Sequence, residues 1–195
     1  NDAIFKKCSV EQPENFGDRH RFVFVGRFAE VKGIDILIDA WKKVLPSSKD
    51  WELYIIGNGD CRPAGTLDKV FFLNFQSQEG LVDISLKFGC FVLPSRFEPW
   101  GLVVHEFACL GLPLILSSKV GSSKDFLISG YNGYHFESEN VGDLAEKLQR
   151  IINNSDIELY QMGLRSAELS TRISLKYSAS SFNSIYNRMT EIFDR

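Results

Sequence analysis

Six short apolar runs recur along the chain, each bounded by glycine, proline or polar residues. They are RFVFVG (21–26), WELYIIG (51–57), KVFFLNF (69–75), CFVLP (90–94), LPLILS (112–117) and the weaker GYHF (133–136). Runs of this length that are rich in β-branched and aromatic residues are typical of strands buried on both faces. The pattern therefore predicts a set of buried strands in this order.

Between and after these runs, apolar residues recur at the spacing of amphipathic helices, which we interpret as ordinary packing faces. The stripes are Ile34, Leu37, Ile38 and Trp41; Leu81, Ile84, Ser85 and Phe88; Val141, Leu144, Leu148 and Ile151; and Leu175, Ala179, Phe182, Tyr186, Met189 and Phe193. Strands that alternate with helices indicate βαβ units and a parallel sheet covered on both faces. The predicted fold class is therefore α/β, with a doubly wound, Rossmann-like parallel sheet.

Composition sets broad limits on the function. The chain has 195 residues, 44% of them hydrophobic and 24% charged, which fits one globular domain. Its formal net charge is −3, and the two signs are evenly mixed. A sequence-wide attraction to nucleic acid or to an anionic membrane is therefore not expected, and any anion site must be local.

The cysteines and the hydropathy indicate a compartment. Cys8, Cys61, Cys90 and Cys109 are irregularly spaced without a CxxC pair, so neither a zinc site nor a disulfide framework is indicated. No apolar run approaches the roughly 18 residues that span a bilayer, and the first 20 residues are polar, unlike a signal peptide. We therefore expect a soluble, cytoplasmic protein.

Ligands of open parallel sheets bind beyond the carboxyl ends of the strands. The loops that would lie there are 26–33, 57–65, 74–80, 94–101 and 117–123. In the first of them, Arg27 and Lys32 precede a predicted helix, whose dipole disfavours cations at that end. A bound anion such as phosphate would relieve this repulsion. The alternative is that both side chains bend away into water.

Two motifs of other protein classes fail in this sequence. The loop GNGDCRPAG resembles the dinucleotide fingerprint, but Arg62 stands where the third glycine is needed, and the loop follows the second predicted strand instead of the first. Gly57 and Gly59 then either let backbone approach a ligand or make a turn. The pair His105-Glu106 begins a zincin-like motif, but Cys109 replaces the second histidine, which argues against a metalloprotease.

No DxD pair that would hold a divalent cation against a diphosphate occurs in the sequence. Neutralisation of a bound diphosphate would then depend on Arg27, Lys32 and helix amides, so we expect no metal and no cofactor. His20 and His135 have no recognisable partners in the sequence, and we interpret both as structural.

The stretch PSRFEPWGLVVHEF contains two glutamates. Pro99 biases Glu98 toward extended geometry, so a helix should begin near Trp100 to Leu102, with free amides that can bind an anion or an oxygen atom. Glu106 falls on the apolar face of that helix. Burial of an unpaired carboxylate is costly, so Glu106 should meet either a buried hydroxyl or arginine, or a ligand with hydroxyl groups.

The segments FVGRFAEVKG, YIIGNG, LPSRFEPWGLVVHEFACLGLPLILS and KVGSSKDFLISGYNGYHF together resemble the C-terminal, donor-binding domain of GT-B glycosyltransferases of family 4, the retaining type. The resemblance covers residues 1–195 in order. Glu98 and Glu106 match the E-x7-E pair of that family, and Arg27 and Lys32 match its phosphate-binding pair.

The resemblance implies a role for each matching residue. Arg27 and Lys32 would hold the diphosphate of a nucleotide sugar, and Glu106 would bind its ribose. Glu98 would contact the donor sugar, and with Arg27 and Lys32 it forms the catalytic set. The implied donor-binding residues are Gly26, Gly57, Gln76, Trp100, Gly101, Leu102 and Glu106.

The resemblance also implies a domain organisation. Residues 1–20 would be the remnant of an interdomain linker, residues 21–173 the nucleotide-sugar-binding domain, and residues 174–195 a helix that returns to an N-terminal acceptor domain. That acceptor domain is absent from this sequence, so the fragment is expected to bind its donor without efficient transfer. Any contact with the inner face of a membrane would come through the missing domain.

The full protein would transfer a sugar from a nucleotide sugar to a glycan or lipid-linked acceptor, with retention of configuration, as in bacterial-type polysaccharide biosynthesis. The sequence also departs from the family pattern at Asn74, Phe107 and Ser122, which leaves the donor sugar undefined. The alternatives are a sugar-nucleotide epimerase or phosphorylase of the same fold, and a non-catalytic nucleotide-sugar-binding subunit.

Overall fold

A computed structural model describes residues 19–48, 50–62 and 67–172 of the chain. Within these ranges the strands are β1 (Arg21–Val25), β2 (Glu52–Ile56), β3 (Val70–Leu73), β4 (Cys90–Leu93), β5 (Leu114–Ser117) and β6 (Gly133–Phe136). Each lies inside the corresponding apolar run, so the six strands are confirmed. The prediction that all of them are buried is wrong for β3, which lies at the edge of the sheet and has no buried residue. The predicted linker, apart from residues 19 and 20, and the predicted helix after residue 173 lie outside the described residues.

The strands form one sheet in the order β3-β2-β1-β4-β5-β6, and every neighbouring pair is parallel. The strand order reverses between β1 and β4, where successive βαβ connections leave in opposite directions. In doubly wound sheets this switch point opens the crevice in which ligands bind. The predicted α/β class is confirmed, and the loops after β1 and β4 flank the expected crevice.

Six helices cover this sheet in the described part of the chain. They are α1 (Ile34–Val44), α2 (Gln78–Ser85), α3 (Leu102–Cys109), α4 (Ser123–Phe126), α5 (Val141–Asn153) and α6 (Asp156–Ser170). Short 3-10 turns occur at Glu30–Lys32 and Leu45–Ser47. Helix α1 packs against α5, and α3 packs against α4 and α6. The three helical stripes that fall in the described ranges therefore lie on these helices, except that Phe88 follows the end of α2.

Local signals fix the helix boundaries. The Asn140 side chain accepts a hydrogen bond from the Asp143 amide at the start of α5. Ser155 and Glu158 form a reciprocal capping box at the start of α6. Such caps satisfy amides that have no partner in the first turn, and each contributes about 1 kcal/mol.

The core lies between the sheet and these two groups of helices. All four residues of β4 and of β5 are buried, as expected for central parallel strands. Trp41 of α1 is buried, and its indole N–H donates to the Asp68 carbonyl at 3.1 Å. Among the described residues, no helix combines the length and apolarity that crossing a bilayer requires.

Candidate functional site

The loop after β1 carries the first two candidate residues. Arg27 is exposed, and Lys32 ends the 3-10 turn Glu30–Lys32. Gly33 follows with a φ of 66°, in the left-handed region, and links this turn to α1. A Cβ atom at position 33 would lie 2.2 Å from the Pro94 carbonyl oxygen. The absence of a side chain at Gly33 therefore lets the loops after β1 and β4 approach each other.

Lys32 and Glu98 meet between these two loops. The Lys32 Nζ donates a hydrogen bond to Glu98 Oε2, and the two side chains are 24% and 14% exposed. The ammonium and the carboxylate are thus partly withdrawn from water but still reachable from the crevice. The sequence places both residues at the carboxyl edge, but the pattern did not predict that they pair with each other.

The backbone of Glu98 is fixed by the loop after β5. Its amide donates to the Lys119 carbonyl at 3.1 Å, and its carbonyl accepts from the Gly121 amide at 2.9 Å. Glu98 and Val120 form an isolated parallel bridge. This bridge extends the β4–β5 pairing beyond the strands, so the position of Glu98 depends on both loops.

Helix α3 begins beside Glu98, as the sequence predicted. Gly101 is its N-cap, with a φ of 86°, and no side chain caps the helix. A Cβ atom at Gly101 would lie 3.1 Å from Glu98 Cγ, so the Glu98 side chain packs against this helix end. Within the described ranges, the amides of Trp100, Gly101 and Leu102 donate no hydrogen bond to the protein. These amides carry a partial positive charge and can bind an anion.

Apolar side chains surround the start of α3. Trp100 and Leu102 are 44% and 49% exposed. The Trp100 ring packs edge-on against Phe126 of α4, with centroids 6.5 Å apart. The backbone carbonyl of Trp100 accepts a hydrogen bond from the Ser122 amide at 3.0 Å. Trp100 is therefore held in place while part of its ring stays open to solvent.

Glu106 lies one turn further along α3 and is half-buried. The adjacent His105 is buried, stacks on Phe126 at 4.6 Å, and makes a hydrogen bond through Nε2 to the Ser170 carbonyl. Burial acts to lower the pKa of His105, but its hydrogen bond to Cys109, its contact with Ser170 and the nearby Glu106 together raise that pKa. The Glu106 carboxylate therefore has a cationic neighbour when His105 is protonated.

The remaining predicted residues lie on the β2 and β3 side of the sheet. A Cβ atom at Gly57 would lie 1.9 Å from the Gly26 carbonyl oxygen. Gly57 therefore accommodates the neighbouring loop, a reason for a glycine that differs from the ligand approach or turn expected from the sequence. Gln76 follows β3, two strands away from β1, and its amide nitrogen donates to the Asn74 carbonyl at 3.1 Å.

Arg96 is a charged residue of this edge that the motifs did not single out. Its guanidinium makes hydrogen bonds to Glu30, Asp35 and Glu139. Its position between β4 and Glu98 was visible in the sequence, but its partners come from distant segments.

A cavity of about 460 Å³ opens beside the loops after β1 and β2. Its lining consists of Ala29, Glu30, Ile34, Asp35, Cys61 and Arg62. The Arg62 guanidinium lies over the Phe72 ring, 4.8 Å from its centroid. The cavity does not include Lys32 or Glu98, so the cavity volume and the charged pair mark different places. We assign the candidate site to the charged pair because it combines ionisable groups with free helix amides.

The fold and this edge define the class of protein. A doubly wound parallel sheet in this arrangement matches the GT-B glycosyltransferases of known structure. The model of the glycosyl transferases group 1 family matches residues 6–165. The chain therefore belongs to the glycosyl transferases group 1 family.

Individual relatives agree with this membership. An uncharacterised glycosyltransferase of Methanocaldococcus jannaschii is 30% identical over 97% of this chain and 54% of its own length. The α-D-kanosaminyltransferase of Streptomyces kanamyceticus is 26% identical over 80% of this chain and 43% of its own length. The chain thus spans about half the length of these relatives.

A solved structure shows the same fold. TarM of Staphylococcus aureus, crystallised with UDP among its ligands, superposes with a TM-score of 0.78 at 21% identity. The match covers 91% of this chain and 37% of TarM.

Proposed function

We propose that this chain is the donor-binding domain of a retaining GT-B glycosyltransferase of family 4, and that it binds the diphosphate of a nucleotide sugar. The observation that carries the proposal is the Lys32–Glu98 pair beside the uncapped start of α3. This arrangement places a cation and free amides next to a carboxylate. A diphosphate needs the first two, and a sugar hydroxyl can donate to the third.

The proposed roles follow the position of each group. Lys32 and the exposed Arg27 bind the diphosphate together with the α3 amides. Glu106, deeper along α3, accepts hydrogen bonds from the ribose hydroxyls, and Glu98 contacts the donor sugar. The donor-binding set is completed by Gly26, Gly57, Gln76, Trp100, Gly101 and Leu102.

The proposed chemistry is stabilisation of a leaving group. When the bond between the anomeric carbon and the diphosphate oxygen breaks, the electron pair remains on the nucleoside diphosphate. Lys32, Arg27 and the helix amides stabilise that growing negative charge more strongly in the transition state than in the bound donor. These groups supply the neutralisation without a metal ion, and the acceptor attacks with retention of configuration.

The relatives extend beyond the region that this chain matches. Since the relatives are about twice as long as the matched region, we propose that an N-terminal domain binds the acceptor. The isolated chain then binds the donor without efficient transfer. We also propose that the protein acts in the cytoplasm, and that any membrane contact is made by the missing domain.

Calorimetric titration of the 195-residue chain with UDP, GDP and ADP tests the proposal. We expect at least one of these nucleotides to bind at millimolar or lower concentration. Circular dichroism of the same sample establishes that the chain is folded. A folded chain that binds none of the three at millimolar concentration overturns the proposed function.

A matched pair of lysine variants makes this test specific. Lys32→Ala removes the proposed charge-assisted hydrogen bond to the diphosphate. Such a bond contributes about 1.5–3 kcal/mol, so the Kd should rise roughly tenfold to a hundredfold. Lys42→Ala removes an exposed lysine that pairs with Asp39 on α1, and it should leave the Kd unchanged. Equal effects of the two substitutions would contradict the site. Repeating the titration with EDTA and then with Mg²⁺ tests independence of metal, for which we expect the same Kd.

A further inference from the structure

Arg96 joins three of the loops at the carboxyl edge of the sheet. It belongs to the loop after β4, and its Nη1 donates to the Glu30 carbonyl of the loop after β1 at 2.6 Å. Its Nη1 and Nη2 reach the two Asp35 carboxylate oxygens at 2.9 and 2.7 Å. Its Nε donates to Glu139, after β6, at 3.0 Å. The planar guanidinium therefore has a partner in each of three directions.

Arg96 is connected to both members of the Lys32–Glu98 pair, to Lys32 through the 3-10 turn and to Glu98 along the chain. The Arg96 amide donates to the Val31 carbonyl at 2.8 Å, so both backbone and side chain hold the turn that ends at Lys32. Glu98 follows Arg96 by only two residues. A shift of Arg96 relative to the turn would therefore change the separation between the Lys32 ammonium and the Glu98 carboxylate.

The electrostatics of this cluster favour the charged forms. Hydrogen bonds to Asp35 and Glu139 raise the pKa of Arg96 above its ordinary value, although burial acts in the opposite direction. The hydrogen bond from Arg96 lowers the pKa of Asp35. However, the Asp35 and Glu139 side chains are 62% and 68% exposed, so solvent screens these ion pairs and their effect on stability is small. The main contribution of Arg96 is therefore the fixed geometry of its guanidinium fork, not the electrostatic stabilisation by its ion pairs.

The backbone at Glu139 supports a role beyond stability. Its φ is 64°, in the left-handed region that favours glycine or asparagine over a long side chain. The residue at this strained position nevertheless supplies a carboxylate that bonds Arg96. Strain of this kind often accompanies residues that hold a functional site.

We propose that Arg96 is a positioning residue, which sets the place of Lys32 relative to Glu98 and thereby the affinity for diphosphate; this inference rests on the proposed function. Arg96 acts through Lys32 and does not itself contact the nucleotide. Its replacement should therefore weaken binding only while Lys32 is present.

A double-mutant cycle tests this dependence. With whichever of UDP, GDP or ADP binds the 195-residue chain, Arg96→Met should raise the Kd at least tenfold. Arg96→Lys should give an intermediate value, since lysine keeps the charge but not the bidentate fork. In a Lys32→Ala background, Arg96→Met should change the Kd by less than twofold. Two results overturn the proposal. One is an unchanged Kd for Arg96→Met alone, and the other is a double variant in which the fold-increases in Kd of the two single variants multiply.

The control is Arg150→Met. Arg150 also pairs with a carboxylate, Glu146, and stacks over Tyr134, but it lies on α5. It should leave the Kd unchanged, and an effect equal to that of Arg96→Met overturns the proposal. If Arg96→Met does not fold, the double variant Asp35→Asn with Glu139→Gln removes both carboxylate partners while retaining Arg96. That variant should then raise the Kd at least threefold, and an unchanged Kd overturns the proposal.

A measurement without nucleotide separates this inference from the proposed function. The rate of acylation of Lys32 by a lysine reagent, followed by mass spectrometry, should rise at least threefold in Arg96→Met relative to Lys42 in the same chain. An unchanged ratio overturns the positioning role. A raised ratio in a chain that binds no nucleotide would support the positioning of Lys32 while the proposed function fails.

Discussion

The ammonium of Lys32 is bound to the carboxylate of Glu98, although the two residues belong to loops after different strands. A diphosphate that binds Lys32 must therefore compete with Glu98. Under the proposed function, the carboxylate would then become available to accept a hydrogen bond from a sugar hydroxyl. The pair would thus link occupancy of the diphosphate position to release of Glu98.

This competition predicts that Glu98→Gln binds a nucleoside diphosphate more tightly than the original chain. The substitution removes a negative charge that opposes the diphosphate, while Arg96 still holds the turn that ends at Lys32. A gain of about 0.5–1 kcal/mol, typical of partly exposed charge pairs, lowers the Kd roughly twofold to fivefold by calorimetry. Glu52→Gln breaks a comparable pair with Arg21 at the opposite edge and should have no effect. Weaker binding by Glu98→Gln would contradict the competition.

The proposed role of Glu106 predicts that its replacement weakens the binding of ligands that contain a ribose and of no others. Glu106→Gln should raise the Kd for a nucleoside diphosphate about tenfold, since a charge-assisted hydrogen bond contributes about 1.5–3 kcal/mol. Pyrophosphate has no ribose, so its affinity should not change. Titration of both ligands against both chains measures the difference. A parallel loss of pyrophosphate binding would assign Glu106 to the phosphates or to the structure of α3.

The close approach at Gly33 predicts that an alanine at this position greatly lowers the free energy of unfolding. Gly33→Ala introduces a Cβ atom 2.2 Å from the Pro94 carbonyl oxygen and also strains a backbone with a φ of 66°. Gly130 has a φ of 80°, but nothing lies within 4 Å of an added Cβ, so Gly130→Ala isolates the backbone strain. We expect about 1 kcal/mol for Gly130→Ala and about 3 kcal/mol or more for Gly33→Ala, measured by urea unfolding. Equal losses would contradict the clash.

The Arg96–Asp35 contact predicts a pH dependence with a definite sign. Because the hydrogen bond from Arg96 lowers the pKa of Asp35, this residue stabilises the fold above its unfolded pKa, and the contribution is lost as the pH falls through the folded pKa. In Arg96→Met the pKa of Asp35 should rise toward its ordinary value. NMR titration of the carboxyl carbon measures it directly. The pKa of Glu158, which hydrogen bonds from Ser155 lower at the start of α6, should stay low as a control.

Much of the fold could be predicted because buried parallel strands leave a direct mark on the sequence. The continuous apolar runs predicted β1 to β6, since central strands are covered on both faces and need apolar residues throughout. The start of α3 was also predictable, because Pro99 disfavours helical geometry at Glu98 just before the helix begins. Both signals depend on neighbours along the chain.

The contacts within the site could not be predicted in the same way. Lys32 and Glu98 are 66 residues apart, and Arg96 and Asp35 are 61 apart, so no periodicity relates them. Gly57 shows the same limit, because its close contact is the Gly26 carbonyl on a neighbouring loop. Charged residues on loops have many possible partners, and only the three-dimensional arrangement selects one.

The pairing of β1 with β4 has a consequence for when the chain could bind the proposed nucleotide. The two strands are separated in sequence by β2, β3 and the helices between them, so their contact closes a long loop and carries a high entropic cost. A growing or refolding chain cannot bring Lys32 to Glu98 until that contact has formed. Since a ligand stabilises only the state that binds it, nucleotide binding would report completion of the central sheet and would protect only molecules that have reached it.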